Sequence, residues 1–274
     1  MELAGSVALV TGASSGIGRA VALALAETGA RLLLLGRDQQ RLTEVATLCG
    51  GTPLVVDLAD RQQRASAARK AMSIHGRLDV LVNDAGSGWS GPVTDMTAAD
   101  VQRIVEVDLV AAIDLTRLLL PGMVERGSGA VCFVTSVAGR TGVAGEAVYS
   151  AAKAGLDAFA ESLRTEAVGS GVQVSVVVPG AVDTPFFTAR GALYERRLPR
   201  PVAPQAVAAA VVRAVVDDRA ETWVPRWLRL APAVRAVAPG PYRRLTAAFG
   251  GTQRLSARRR SSHEKPDRPA GSWP

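Results

Sequence analysis

Two cysteines and two histidines in 274 residues leave little for metal or disulfide chemistry to work with. Cys49 and Cys132 show none of the spacings of a zinc site or a redox pair. His75 and His263 fall outside every motif described below, so neither a metal site nor a histidine base is expected. Cys132 lies in a strand-like apolar run and reads as a small core residue. This cysteine usage implies a reducing, cytoplasmic setting. No run of 18 uncharged apolar residues occurs, so no membrane-spanning helix is expected. No secretory signal is expected either, because Val7–Val10 already reads as a strand.

Acidic residues are missing from one long stretch. Between Thr222 and Arg260 there are nine arginines and no aspartate or glutamate, although the whole chain carries only +7. Residues 1–221 are left with a net charge of −2. The body is therefore not basic, and a nucleic-acid partner is not expected.

What remains is ordinary globular material, 48% hydrophobic and long enough for a sizeable core. Short apolar runs without polar alternation mark strands at Val7–Val10, Arg31–Leu35, Leu54–Val56, Val80–Val82, Ala130–Val134, Val172–Val178 and Thr222–Val224. Helical stretches lie between them, most clearly at Ile17–Thr28, Arg61–Ile74, Ala98–Leu120, Ala147–Val168 and Pro204–Val216. Strand–helix alternation of this kind predicts an α/β fold with a doubly wound parallel sheet covered on both faces. One domain over residues 1–224 is expected, followed by a basic extension over 225–274.

The first strand runs into Thr11-Gly12-Ala13-Ser14-Ser15-Gly16-Ile17-Gly18 and then a helix. Glycines let backbone approach a pyrophosphate closely, and a helix N-terminus offers free N–H groups and partial positive charge. A tight turn that binds nothing is the alternative, weakened by the position of the loop in the strand–loop–helix order. The second strand ends at Gly36-Arg37, where dinucleotide folds often place a carboxylate for the ribose hydroxyls. A small residue followed by a guanidinium suits a 2′-phosphate, which favours NADP(H) over NAD(H); a solvated loop arginine is the alternative. Asp57-Leu58 and Asn83-Asp84-Ala85-Gly86 follow the third and fourth strands, as nucleotide contacts or as plain strand-end punctuation.

In Tyr149-Ser150-Ala151-Ala152-Lys153, the phenol and the ammonium stand one helical turn apart on one face. A cation there is expected to favour the phenolate and draw its pKa towards working pH, as acid–base chemistry requires. Taken alone, the pair is also compatible with an ordinary helix.

Together, Thr11–Gly18, Asp57-Leu58, Asn83–Gly86, Ser136, Tyr149–Lys153 and Pro179-Gly180-Ala181-Val182-Asp183-Thr184 resemble the single-domain short-chain dehydrogenase/reductase family. The resemblance covers residues 5–224 and implies a seven-stranded Rossmann sheet, a nicotinamide cofactor and reversible hydride transfer between alcohol and carbonyl. It casts Tyr149 as the general acid or base. Lys153 would tune Tyr149 and hold the nicotinamide ribose, and Ser136 would position the substrate oxygen. The cofactor contacts it implies are Gly12, Ser14, Ser15, Gly16, Ile17, Gly18, Arg37, Asp57, Leu58, Asn83, Ala85, Gly86, Tyr149 and Lys153. Pro179, Gly180, Val182 and Thr184 complete them around the carboxamide. Homo-oligomers are common in such families.

Two positions depart from the family pattern. Asp84 stands where a second asparagine is usual, and Asp108, in Val107-Asp108-Leu109, where an asparagine holds a water beside the lysine. An aspartate at 108 adds negative charge near Lys153 and is expected to raise the phenol's pKa, offsetting the lysine. Asp108 therefore joins Ser136, Tyr149 and Lys153 as a candidate catalytic residue. It also favours the alternative of a catalytically silent nucleotide sensor or scaffold, against which the intact Ser136, Tyr149 and Lys153 argue.

Ser87, Gly88, Trp89, Val143, Glu146 and Phe186–Tyr194 are expected to line or cover the substrate pocket. Trp89 and the Phe186-Phe187 pair read as an apolar wall for a hydrophobic carbonyl or alcohol substrate, or as packing of a lid. Beyond residue 224, Trp227, Leu228 and Leu230 interleave with arginines, and Pro232, Pro239 and Pro241 forbid one long helix. Such pieces suit peripheral contact with an anionic membrane, or a fold back over the pocket or a partner subunit. Residues 255–274 read as disordered.

Overall fold

The apolar runs have side chains to spare for two layers. In β1 (Val7–Thr11), Ala8 and Val10 join one buried cluster while Val7 and Leu9 join the other. In β2 (Arg31–Gly36), Leu32 and Leu34 face the first cluster, Leu33 and Leu35 the second. Side chains alternate across a strand, so a sheet covered on both faces needs this continuous apolarity. In a computed structural model describing residues 1–192, 194 and 200–249, the remaining strands are β3 (Thr52–Val55), β4 (Val80–Asn83), β5 (Gly129–Val134), β6 (Val172–Pro179) and β7 (Glu221–Val224). All pair in parallel, in the order β3-β2-β1-β4-β5-β6-β7. This is the doubly wound Rossmann-type sheet, with its order reversing between β1 and β4.

Helices α1 (Gly16–Ala26), α2 (Gln39–Cys49) and α9 (Pro204–Val216) cover one face; α3 (Arg61–His75), α5 (Ala111–Glu125) and α7 (Ala147–Glu166) cover the other. Cys132 is fully buried in the first cluster. The α2 helix lacks a clear apolar period in the sequence, because it buries only Leu42, Val45 and Ala46 and is otherwise polar. Its signals are local: Asp38 accepts the Arg41 N–H, and Gly50 closes it at φ 65°. Strand β3 begins two residues earlier than expected and ends one earlier; its Pro53 is tolerated because β3 is an edge strand.

The helix expected at 98–120 is longer and is interrupted. It runs as α4 (Ala98–Val105), a π-helical turn at Glu106–Val110, and α5. Thr97 and Asp100 form a capping box at its start. The π turn holds one residue more than an α turn, and Asp108 sits at its centre.

After β7 come a 3₁₀ turn (Arg226–Arg229), α10 (Leu230–Val237) and α11 (Pro239–Phe249). The chain breaks at Ala238, ahead of Pro239 and Pro241, as the prolines required. The α10 helix lies beside α6 (Val137–Thr141), where Arg235 donates to the Arg140 carbonyl at 2.8 Å. Among the described residues no helix is long and apolar enough to cross a membrane. His263 and the disorder expected at 255–274 lie outside the described residues.

Candidate active site

The motif residues converge at the C-terminal ends of β1, β4, β5 and β6. Thr11 Oγ1 accepts the N–H groups of Asp84 (2.9 Å) and Ala85 (3.0 Å), stitching the end of β1 to the end of β4. Glycine is required here for space: a Cβ at Gly12 would lie 2.9 Å from Ala85 Cα, and one at Gly18 2.4 Å from the Gly12 carbonyl oxygen. A Cβ on Gly16 would sit 3.3 Å from the Thr184 side chain, so the loop after β6 closes over the glycine loop. Ser15 caps α1 without a side-chain hydrogen bond, which leaves the helix N-terminus open between Ser14, Ile17 and Thr184. Val182 pairs with Val202, and Gly180 donates to the Val224 carbonyl at 2.8 Å, fixing the Pro179–Thr184 loop.

On the other side of the loop, Gly36 is buried against Ser14; its Cβ would lie 3.2 Å from Ser14 Oγ. Arg37 next to it is exposed. Its pKa is lowered by partial burial and by the like charge of Arg103, with Asp57 opposing. Arg103, on α4, grips Asp57 with two hydrogen bonds of 2.9 and 3.1 Å. Burial works to raise Asp57, but the Arg103 contact outweighs it and holds the carboxyl below its ordinary range. Leu58 is buried, and its carbonyl accepts from Arg64 at 2.6 Å. Asn83 donates to Thr116 at 3.3 Å, while its Oδ1 is buried without a partner among the described residues.

Ser136 follows β5 and caps α6, accepting the Ala138 N–H at 3.1 Å, and its hydroxyl is close enough to the Tyr149 phenol to favour the phenolate. Lys153 is 3% exposed and sits 5.8 Å from the centre of the Tyr149 ring. Its ammonium donates to the Val134 carbonyl at 3.2 Å and lies 3.6 Å from Asp108 Oδ1. Asp108, 1% exposed, accepts from the Ser87 N–H at 2.7 Å and from the Ser87 hydroxyl at 3.2 Å. Phe186, on α8 (Phe186–Ala189), stacks at a tilt 5.4 Å from the Tyr149 ring. Two surface cavities, along Gln39–Thr47 and between α3 and α5, touch none of these groups.

A buried hydroxyl and ammonium and a half-buried phenol beside an open glycine loop can bind an anionic cofactor and exchange a proton with a bound carbonyl. A model of the short chain dehydrogenase family matches residues 6–194. The chain belongs to the short-chain dehydrogenase/reductase family. It is 36% identical over 259 residues to a protein of Nostoc sp. named ketoacyl reductase HetN, covering 90% of each chain. It is 32% identical to the mouse dehydrogenase/reductase SDR family member 7B, over 93% of this chain and 84% of that one. Among solved structures, a metagenomic short-chain oxidoreductase in complex with NADP is 33% identical, with a TM-score of 0.71 over 81% of this chain and 98% of that one. A short-chain dehydrogenase from Sphingobium yanoikuyae in complex with NADPH is 26% identical, with a TM-score of 0.75 over 92% and 99%.

Against the usual short-chain dehydrogenase/reductase pattern, the centre of this site is unusually acidic. Asp84 lies under the glycine loop beside Gly18; burial is the chief reason its pKa is pushed up to about 7, with Lys153 and then the Gly18 N–H pulling it down. Asp108 is pushed up to about 6 by burial, held back by Lys153 and by the Ser87 hydrogen bonds. The expected lowering of Tyr149 is not what the structure gives. Its pKa is raised, first by burial and then by the charge of Asp108, with the Ser136 hydrogen bond opposing and Glu146 and Asp84 adding to the rise. Burial is the chief physical reason, and Lys153, which points towards Asp108 and the Val134 carbonyl, does not offset it.

One contributor escaped the sequence reading: Arg103 is 46 residues from Asp57, and no local pattern connects them. Arg190 and Glu146 both lie where pocket residues are expected, but their part-buried ion pair, across 44 residues, has no local signal. Aromatic spacing pointed to the wall but not to the charge behind it.

Proposed function

We propose that this short-chain dehydrogenase/reductase interconverts a carbonyl and an alcohol on a hydrophobic substrate, using NADP(H) and Tyr149 as acid or base. The Ser136 hydroxyl beside the Tyr149 phenol beyond the end of β5, with Lys153 buried alongside, carries the reading. Ser136 orients the substrate oxygen; Tyr149 gives up its phenol proton in reduction and takes one in oxidation. The cofactor, when bound, supplies or accepts the hydride. The cradle at Gly12, Gly16 and Gly18 and the uncapped N-terminus of α1 fit its pyrophosphate. Ser14, Ser15 and Ile17 complete that cradle; Asp57, Leu58, Asn83, Ala85 and Gly86 flank the adenosine side. Thr184 with Val182, behind Pro179-Gly180, would face the nicotinamide, and Lys153 its ribose. Asp108, set between Ser87 and Lys153, would pass the proton between lysine and solvent. The neighbour structures hold NADP and NADPH, and a relative is named a ketoacyl reductase; both support the reading.

Arg37 and Arg103 form the cationic corner beside Gly36 that suits a 2′-phosphate. Arg37→Gln is expected to weaken NADPH binding about tenfold, the value of one charge-assisted hydrogen bond, while NADH changes by less than about threefold. Titration of each nucleotide by its fluorescence checks this, and equal losses for both would remove the assignment. Gly36→Asp is a poorer test, since its Cβ would already press on Ser14 and Leu42 at 3.2 Å.

A silent cofactor-binding protein is the second reading, favoured by the acidic centre and the raised phenol. It is separated from the first by turnover that depends on Tyr149.

For the C-terminal extension, contact with an anionic membrane is the reading best supported. Trp227, Leu230, Val234 and Val237 follow one another at spacings of three, four and three, and all are exposed. Arg226, Arg229, Arg235, Arg243 and Arg244 surround them, with no acidic residue between Thr222 and Phe249. An apolar stripe in a purely basic frame matches anionic headgroups over acyl chains. Leu230→Glu with Val234→Glu is expected to abolish co-sedimentation with phosphatidylglycerol vesicles, and phosphatidylcholine vesicles should not bind the parent chain. Retained binding by the double variant, or none by the parent, would overturn this. Removing all of 225–274 is less clean, because Leu228 is buried against Gly180. A homo-oligomer, common in the family, remains the expected assembly.

A further inference from the structure

The buried stripe of α3 consists of positions 64, 67, 68 and 71. Three of these are alanines, and the fourth is Arg64. At 2% exposed it is the most deeply buried arginine among the described residues. A guanidinium is costly to bury, and apolar side chains in place of a buried ion pair often serve stability as well or better. The partners of Arg64 show what the cation does there.

Its Nη1 donates to the Leu58 carbonyl at 2.6 Å and to Glu106 Oε2 at 3.1 Å, and its Nε donates to Asp114 Oδ2 at 3.2 Å. The two carboxylates straddle the π turn: Glu106 is its first residue, and Asp114 lies in the first turn of α5. Neutralising Asp114 does not need Arg64, because Arg117 already holds it at 2.7 Å. Leu58 lies three residues beyond β3, so its carbonyl fixes the guanidinium relative to the sheet. The guanidinium in turn fixes the spacing across the turn.

A π turn is rare and departs from the regular helical ladder, so what holds its geometry matters. Residues two apart on a helix do not face the same way. Glu106 accordingly meets Arg64 on α3, while Asp108 lies 3.6 Å from Lys153 on α7. The turn is gripped by a buried cation on each side. The other ionisable groups that act on Asp108 or feel its charge are Tyr149 on α7 and Asp84 beyond β4. Ser87 supplies its hydrogen bonds. Arg64 acts on Asp108 through the backbone of the turn.

We infer that Arg64 is a positioning residue for proton transfer: by gripping Glu106 and Asp114 on either side of the π turn, it holds Asp108 against Lys153. Its link to the reaction rests on the reading of Tyr149 and Lys153 as the proton-transfer pair.

The test is a double-mutant cycle in the full chain. Arg64→Met keeps a long side chain in the stripe and removes the grip. Glu106→Ala frees the turn alone and leaves Arg64 its contacts with Leu58 and Asp114, so it answers the question even if Arg64→Met fails to fold. Each is combined with Asp108→Asn, and melting temperature is followed at pH 4 and pH 8. In the parent, Asp108→Asn is expected to raise the melting temperature at pH 8 relative to pH 4. The reason is that Asp108, pushed up to about 6, binds a proton in the folded chain that it releases when unfolded. In the Arg64→Met and Glu106→Ala backgrounds that gain should fall to less than about half, because a carboxylate no longer held in place reaches water. In the oxidation of 2-octanol with NADP+, both single variants should move the rising limb of the pH–rate profile about half a unit towards acid. Neither should move it further when combined with Asp108→Asn. An undiminished gain in both backgrounds, or a limb that moves equally with and without Asp108, overturns the inference and leaves the proposed reaction standing. A diminished gain in a chain without Tyr149-dependent turnover overturns the reaction and leaves Arg64 as the residue that places Asp108.

Discussion

Tyr149→Phe is expected to lower kcat/KM for carbonyl reduction by about 10³, within the range that a positioned general acid contributes. The melting temperature and NADPH affinity should stay close to those of the parent. The substitution removes one hydroxyl and leaves the ring on Phe186, where the 5.4 Å stacking holds it. Ser136 keeps its partner, the Ala138 N–H, and Lys153 keeps Val134 and Asp108. A loss confined to turnover therefore isolates the proton. The measurement is NADPH consumption against a panel of aldehydes, ketones and 3-oxoacyl thioesters, with cofactor binding followed by fluorescence. Activity within tenfold of the parent would mean that another group delivers the proton; a parent inactive on the whole panel would favour the silent reading.

The second large effect is one of pH, and it comes from Asp84 and Asp108. Asp84 holds its proton up to about 7 in the folded chain, whereas an aspartate in the unfolded chain releases it near 4. Between those values the folded state binds more protons than the unfolded state, so stability falls as pH rises and stays reduced above the window. Asp84→Asn removes that loss and still presents an oxygen to the Gly18 N–H side of the glycine loop. The variant should match the parent near pH 4 and exceed it at pH 8, on the order of a few kcal/mol, or roughly 5 °C or more in melting temperature. Asp108→Asn has the same sign over the narrower window ending at about 6. It also removes a negative charge that raises Tyr149, so the phenol becomes a stronger acid. The limb of the pH–rate profile along which alcohol oxidation increases should then move about one unit towards acid. Melting curves at the two pH values and a pH–rate profile test both. A profile that does not move would make Asp108 a structural residue, and a stability gap that does not widen with pH would mean that Asp84 is ionised throughout.

What could be read from the chain beforehand was whatever is local in sequence. The glycine loop, the uninterrupted apolar strands and the Tyr149–Lys153 turn each lie within a few residues, and the sheet brings them together as expected. The cation at Asp57 and the ion pair at Glu146 could not be read, because Arg103 and Arg190 come from elements more than 40 residues away. The α2 helix escaped for a different reason: on the outside of the sheet it needs only three buried residues, too few for a clear period. Tyr149 shows a third kind of limit. Spacing placed Lys153 on its face correctly, but the direction of the ammonium was decided by Asp108, from a helix packed against it.

The π turn at Glu106–Val110 makes one long helix into two rulers whose zero marks can be set separately. Each residue of an α-helix advances about 100° around the axis, so in an unbroken helix the position facing Lys153 would be locked to those that meet the sheet. The additional residue absorbed by this turn releases that lock: Ile104 upstream and Leu115 and Leu119 downstream stay buried while Asp108 is aimed at the ammonium. Repacking in α5 can therefore proceed without redirecting the carboxylate. A one-residue deletion within 106–110 would restore a common phase and swing Asp108 away from Lys153, so the chain's length at this point matters as much as which residue it carries.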